Sequence, residues 1–260
     1  MWRKRLCAPS SVSRRLAWLG AVAAVAGGSA SPAVAQSPRE ANPERPTFAT
    51  HAYAVAPGYA ELEQGLAARG TGSLREETSW DVNLKVGVSR HLQIGLFGPA
   101  YTRTPAGSGV GDLGMAVKLR SDLSPRAAVA LVPSVTVPTG SAARGLGAGR
   151  ALGGLVGVVS ADLPGVHVDV NAGPQGIGAG APQWFASLGG SRGFGRVGVA
   201  VEVFEFTAGG AGSRLAGVLG AVTLRLVEWA VVDAGGVART SSGTPDQVFV
   251  GITTNLGRLF

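Results

Sequence analysis

About twelve stretches of alternating apolar and polar residues, joined by connections of alternating length, constrain this chain more than any other feature. The clearest is Trp80-Asp81-Val82-Asn83-Leu84-Lys85-Val86. Trp80, Val82, Leu84 and Val86 share one face of an extended strand, and Asp81, Asn83 and Lys85 take the other. The apolar face resumes at Leu92, Ile94 and Leu96 after the turn Ser89-Arg90-His91. Val166 to Asn171 repeats the pattern, as does Val197 to Val203 with Glu202 on the opposite face. The expected strands run over 58–69, 78–88, 92–101, 111–121, 126–137, 151–163, 166–174, 182–193, 197–206, 214–227, 230–239 and 247–257.

The connections carry as much weight as the strands. Those at Ser89-Arg90-His91, Ser121 to Pro125, Pro164-Gly165, Gly195-Arg196 and Glu228-Trp229 are short. Those around 70–77, 102–110, 138–150, 175–181, 207–213 and 240–246 are longer and rich in Gly, Ser and Thr. An even strand count, short periplasmic turns and longer outer loops are expected of a transmembrane β-barrel. The expected fold class is therefore all-β, a closed antiparallel barrel of about twelve strands over 57–260. Closure pairs every backbone group, so such a barrel spans a bilayer without an apolar helix. The competing reading is a soluble periplasmic β-sandwich, which would bury the apolar faces and expose the charged ones. Sparse charge, at 15% of residues, and long rows of Val, Leu, Ile, Ala and Gly weigh against it.

Two segments precede the barrel. Arg3, Lys4, Arg5, Arg14 and Arg15 form a basic start, Leu16 to Ala26 is apolar, and Ala33-Val34-Ala35 is a small-residue cleavage site. This order predicts a cleaved signal peptide over 1–35 and export to the outer membrane. Residues 36–56 are expected as an irregular periplasmic lead, since Pro38, Pro43, Pro46 and Pro57 do not suit central ladder positions. Cleavage also changes the charge balance. The whole chain has 23 Lys+Arg against 16 Asp+Glu, and removing the five bases of the signal leaves 18 against 16, a net +2. A nucleic-acid partner is not expected at that balance. The lone cysteine, Cys7, leaves with the signal, and no Cys/His cluster offers a metal site. No cofactor is expected. Gly145-Leu146-Gly147-Ala148-Gly149 lies in a loop with no helix to follow, so a nucleotide-binding reading fails.

With apolar faces toward lipid, the opposite faces line the lumen. That set contains Glu61, Glu63, Asp81, Lys85, Asp112, Lys118, Arg120, Asp169, Glu202, Arg225 and Asp233. Both signs occur, and isolated buried charges are costly, so they should pair or stay hydrated. Asp112, in Gly-Asp-Leu, is also placed to make Asx-type hydrogen bonds at the start of its strand. At the other end of the chain, Phe260 has the parity of Ile252 and Leu256. A terminal aromatic closing an amphipathic strand is the expected signal to the barrel-assembly machinery.

The order of several motifs resembles an outer-membrane family named for the meta-cleavage pathway of phenol degradation. Asn42-Pro43-Glu44-Arg45-Pro46-Thr47-Phe48 resembles its Arg-Pro-x-Phe lead, and Pro57-Gly58-Tyr59-Ala60-Glu61-Leu62-Glu63 its first strand. Val88 to Ile94 resembles its first tight turn, and Gly109-Val110-Gly111-Asp112-Leu113 with Val117-Lys118 its fourth strand. Pro133 to Gly140 resembles its fifth strand and outer loop, and Asn171-Ala172-Gly173 and Pro245-Asp246-Gln247 fit later positions. The resemblance implies a barrel that transports small molecules, aromatic or apolar ones included.

The expected function is passive passage of small molecules through a narrow polar lumen, with outer-membrane lipids as surroundings. The alternative is a structural or adhesive barrel whose lumen is closed by ion pairs, since a twelve-stranded barrel is intermediate between filled and open ones. A lipid-modifying barrel enzyme needs a serine beside a histidine. Of His51, His91 and His167, none has a convincing serine partner, so no catalytic residue is assigned.

Overall fold

The computed structural model describes residues 37–70, 76–241 and 246–260; the expected signal peptide lies outside them. Twelve long antiparallel strands close on themselves. They are β1 (Tyr59–Gly70), β2 (Glu77–Ser89), β3 (Leu92–Thr104), β5 (Leu113–Ser124), β6 (Ala127–Val137), β7 (Leu152–Leu163), β8 (Val166–Gln175), β9 (Gln183–Phe194), β10 (Val197–Phe206), β11 (Leu215–Val227), β12 (Ala230–Arg239) and β13 (Asp246–Arg258). A three-residue strand, β4 (Gly107–Gly109), hangs as a hairpin on the end of β3 and does not take part in closure. The ring closes where β1 pairs with β13, in a register that sets Gly65 opposite Gly251.

The wall is inverted relative to a water-soluble protein. Leu66, Leu96 and Val250 are 59%, 53% and 52% exposed, whereas Glu61 and Glu202 are fully buried. A sandwich would show the reverse. The alternation produces this inversion, because successive side chains leave opposite faces of a strand. On β13, Val248, Val250 and Leu256 face outward, and Thr253 and Asn255 are buried inside. Exposed Trp80, Tyr101 and Trp184 ring the long-loop end, and Phe194 and Trp229 the short-turn end. Aromatic girdles at both interfaces are a property of membrane barrels.

The last strand lies within a residue of its expected bounds. The last strand stops at Arg258, and Leu259 and Phe260 lie beyond it, exposed at the short-turn rim. A bulge opposite Ala60 and Glu61, with Gly257 in the left-handed region, leaves the alternation intact, Leu256 and Arg258 exposed and Asn255 and Gly257 buried. The difference from expectation is the lead. Residues 37–56 form neither helix nor strand and thread the barrel interior. Their backbone amides need acceptors, and the wall supplies them.

Candidate functional site

The site is the interior, and it is built by the lead and the wall together. The lead enters at the short-turn end, where the Ala41 amide donates to the Glu228 carbonyl at 3.0 Å. It climbs past β1, crosses to β10 and β8, and returns along β7 to Gln93 on β3. Seven of its amides donate to wall side chains. Asn42 N–H donates to Glu61 Oε2 at 2.7 Å, and Glu44 N–H to Glu63 Oε1 at 2.6 Å. At the far crossing, the Glu202 carboxylate accepts from Phe48 and Ala49, each at 2.7 Å. Thr50, Ala52 and Val55 donate to Asn171, Ser160 and Gln93. An irregular segment is stable here because the wall supplies acceptors that the lead's own backbone does not.

Charge pairing fixes the same segment. Lys85 Nζ lies 2.6 Å from Glu61 and 2.8 Å from Glu63 and donates to the Asn42 carbonyl at 3.1 Å. Lys118 Nζ lies 2.7 Å from Glu44, which the lead itself contributes. Burial alone would push the Glu44 carboxyl up, but the Lys118 and Lys85 ammonium groups outweigh it and hold it well below the usual carboxylate range. Burial and Lys118 push the neighbouring His51 imidazole down to about 3, so it is neutral at pH 7. Both of its ring nitrogens are buried without a hydrogen-bond partner.

Arg45 is the central side chain of the lead. Its guanidinium grips Asp233 through two bonds of 3.2 Å, a bidentate geometry. It rests where the wall carries Gly65 and Gly251, and a Cβ at either position would overlap it. Two cavities, each about 250 Å³, share Arg45 as a common wall. The inner one reaches the β9–β10 turn at Gly195 and Arg196 and is lined by the lead and β8 to β12. The other lies against Asp81, Asn83, Phe97 and Pro99 on β2 and β3.

The expected lumen set divides by position. Glu61, Glu63, Lys85, Lys118, Glu202 and Asp233 are buried inside and bind the lead or one another. Asp81 is half-buried, accepts from Ser79 at 2.9 Å and lines the second cavity. Asp169 binds Ser160 and His167 at 2.5 and 3.1 Å. Arg120 stacks over the Tyr53 ring at 4.8 Å beside Asp122. Two residues lie away from the middle of the lumen. Arg225 is exposed at the short-turn mouth and pairs with Glu40. Asp112 sits at the long-loop end, where its carboxylate accepts from Gly140 and Ala148 and pins the 138–150 loop.

Alternation did not reveal what fills the other half of the interior. Phe185, Phe204, Leu219, Val237 and Phe249 form a buried cluster toward the long-loop ends of β9 to β13, and Phe48 of the lead joins it, 4.3 Å from Phe204. Their parity was legible; on β10, Phe204 has the parity of Glu202.

Solved structures share this architecture. The COG4313 outer membrane channel from Pseudomonas putida F1 superposes with a TM-score of 0.61 at 14% identity, over 81% of this chain and all of that one. A KdgM porin does so at 0.54 and 7% identity, over 76% of this chain and 99% of that one. At these identities the likeness extends to the fold. No family model and no curated protein matches the chain.

Proposed function

We propose that this protein is a narrow passive channel of the outer membrane, with Arg45 as its constriction. One observation carries the reading: the two interior cavities abut at a single side chain of the lead, Arg45. The polar wall and ion-paired lead leave space on both sides of that residue. A filled barrel of purely structural role would need no such space. The family resemblance and the channels and porins of like fold support the same reading. Outer-membrane lipids cover the exposed apolar face, and the barrel-assembly machinery meets the end that carries Phe260.

Planar-bilayer recording of the mature chain tests the proposal. The wild type is expected to give small, discrete conductance steps. Arg45→Ala joins the two cavities and is expected to raise the step several-fold, while Arg45→Lys raises it less. Silence of both the wild type and Arg45→Ala across ions and small solutes would sink the channel and leave the closed structural barrel.

A further inference from the structure

We infer that the inner cavity is a binding site for a small organic anion carrying a carboxylate or phosphate group. The inference deepens the channel reading by naming a class of solute, although binding itself does not require conduction.

Charge at the mouth is the first support. Among the described residues, the short-turn end carries Arg39, Arg90, Arg120, Arg126, Arg192, Arg196, Arg225 and Arg258 against Glu40, Asp122, Asp162 and Glu228. Positive charge around a low-dielectric opening concentrates anions there. Two of these arginines, Arg196 and Arg225, line the cavity itself. They lie side by side, Arg196 in the β9–β10 turn and Arg225 on β11, the Arg225 amide donating to the Arg196 carbonyl at 2.8 Å. Arg225 is held by Glu40, and no described carboxylate pairs with Arg196. A guanidinium presents its donors in a fork that matches two oxygens of one carboxylate or phosphate.

The depth of the cavity is the second support. Its two carboxylates are already engaged, Glu44 by Lys118 and Asp169 by His167 and Ser160. Neither offers an unmatched negative charge to repel an anion. Ser191 and Thr223, each with a hydroxyl, line the space.

Shape is the third. Gly193 has the inward parity of Phe185, Ser187 and Gly189 on β9, and nothing lies within 4 Å of where its Cβ would be. The space therefore exists because the wall has no side chain there, and a large side chain at 193 would fill it.

The test uses the mature chain in detergent, titrated calorimetrically with succinate and with inorganic phosphate. The wild type is expected to bind at least one of them. Arg196→Gln is expected to weaken binding at least tenfold, and Gly193→Trp to abolish it. Both variants should keep the wild-type heat-dependent shift on SDS gels, which reports a folded barrel. Competition by glycerol phosphate but not by succinate would assign the site to a phospholipid headgroup rather than a free organic acid. Failure of the wild type to bind either probe overturns the inference, as does unchanged binding in both folded variants. Binding without conductance would instead refute the channel and leave the site standing.

Discussion

The two ends of the interior are held together by opposite means. Toward the short turns, Glu44, Glu61, Glu63, Lys85 and Lys118 form a buried ionic cluster across the lead, β1, β2 and β5. Toward the long loops, Phe48, Phe185, Phe204 and Phe249 pack with Leu219 and Val237. The same strand parity serves both; Glu202 and Phe204 are two residues apart on β10 and point the same way. Parity decides which face a side chain joins, and the partner it meets decides what holds it there. Ionic clusters tolerate loss of a single member poorly, because the remaining charges stay buried without compensation. Aromatic clusters lose area and packing in proportion to what is removed.

That contrast predicts a ranking. Lys85→Met should have the largest effect, about 3–5 kcal/mol, as expected for breaking a buried pair. It removes the cation shared by Glu61 and Glu63. Urea unfolding from lipid vesicles, followed by tryptophan fluorescence, measures it. Phe204→Ala should cost about 3 kcal/mol, the lower end for a buried phenylalanine, because Phe48 and Phe206 can settle toward the gap. A larger loss from Phe204→Ala than from Lys85→Met would reverse the comparison. Glu202→Gln lies on the border between the halves. It replaces one of two acceptor oxygens at the lead crossing and should cost about 1–3 kcal/mol for the amide left unpaired. Its signature is faster protease cleavage within 42–56 with little change in the barrel.

Much of the barrel was legible from alternation and connection length. The twelve long strands fall in the expected order, with boundaries that differ by a few residues. The hairpin strand β4 was missed because Gly107-Ser108-Gly109 has no alternation to read. The course of the lead was not legible either. Its prolines argue against regular structure but do not say where the chain goes. The destination is set by pairings distant in sequence, such as Glu44 with Glu63, 19 residues apart, and Arg45 with Asp233, 188 apart. Asp112 shows a similar limit. Its position after Gly111 marked it as a hydrogen-bonding residue at a strand start, and its partners lie 28 and 36 residues ahead.

Asp112 also gives the smallest predicted effect and the one that isolates the ends from the middle. Its two carboxylate oxygens take the Gly140 amide at 2.9 Å and the Ala148 amide at 2.7 Å. Asp112→Asn keeps the shape and turns one acceptor into a donor facing a donor. One of the two bonds is lost, at a net cost of about 1 kcal/mol for a partly solvated hydrogen bond. The loss falls on the 138–150 loop, which carries Arg144 and Arg150 on its exposed surface. Trypsin should therefore cut at those arginines faster in the variant, while the urea midpoint of the barrel stays at its wild-type value. A lowered midpoint would mean that Asp112 supports the wall as well as the loop. The long-loop end would then depend on charge as the short-turn end does, and the division between an ionic half and an aromatic half would have to be redrawn.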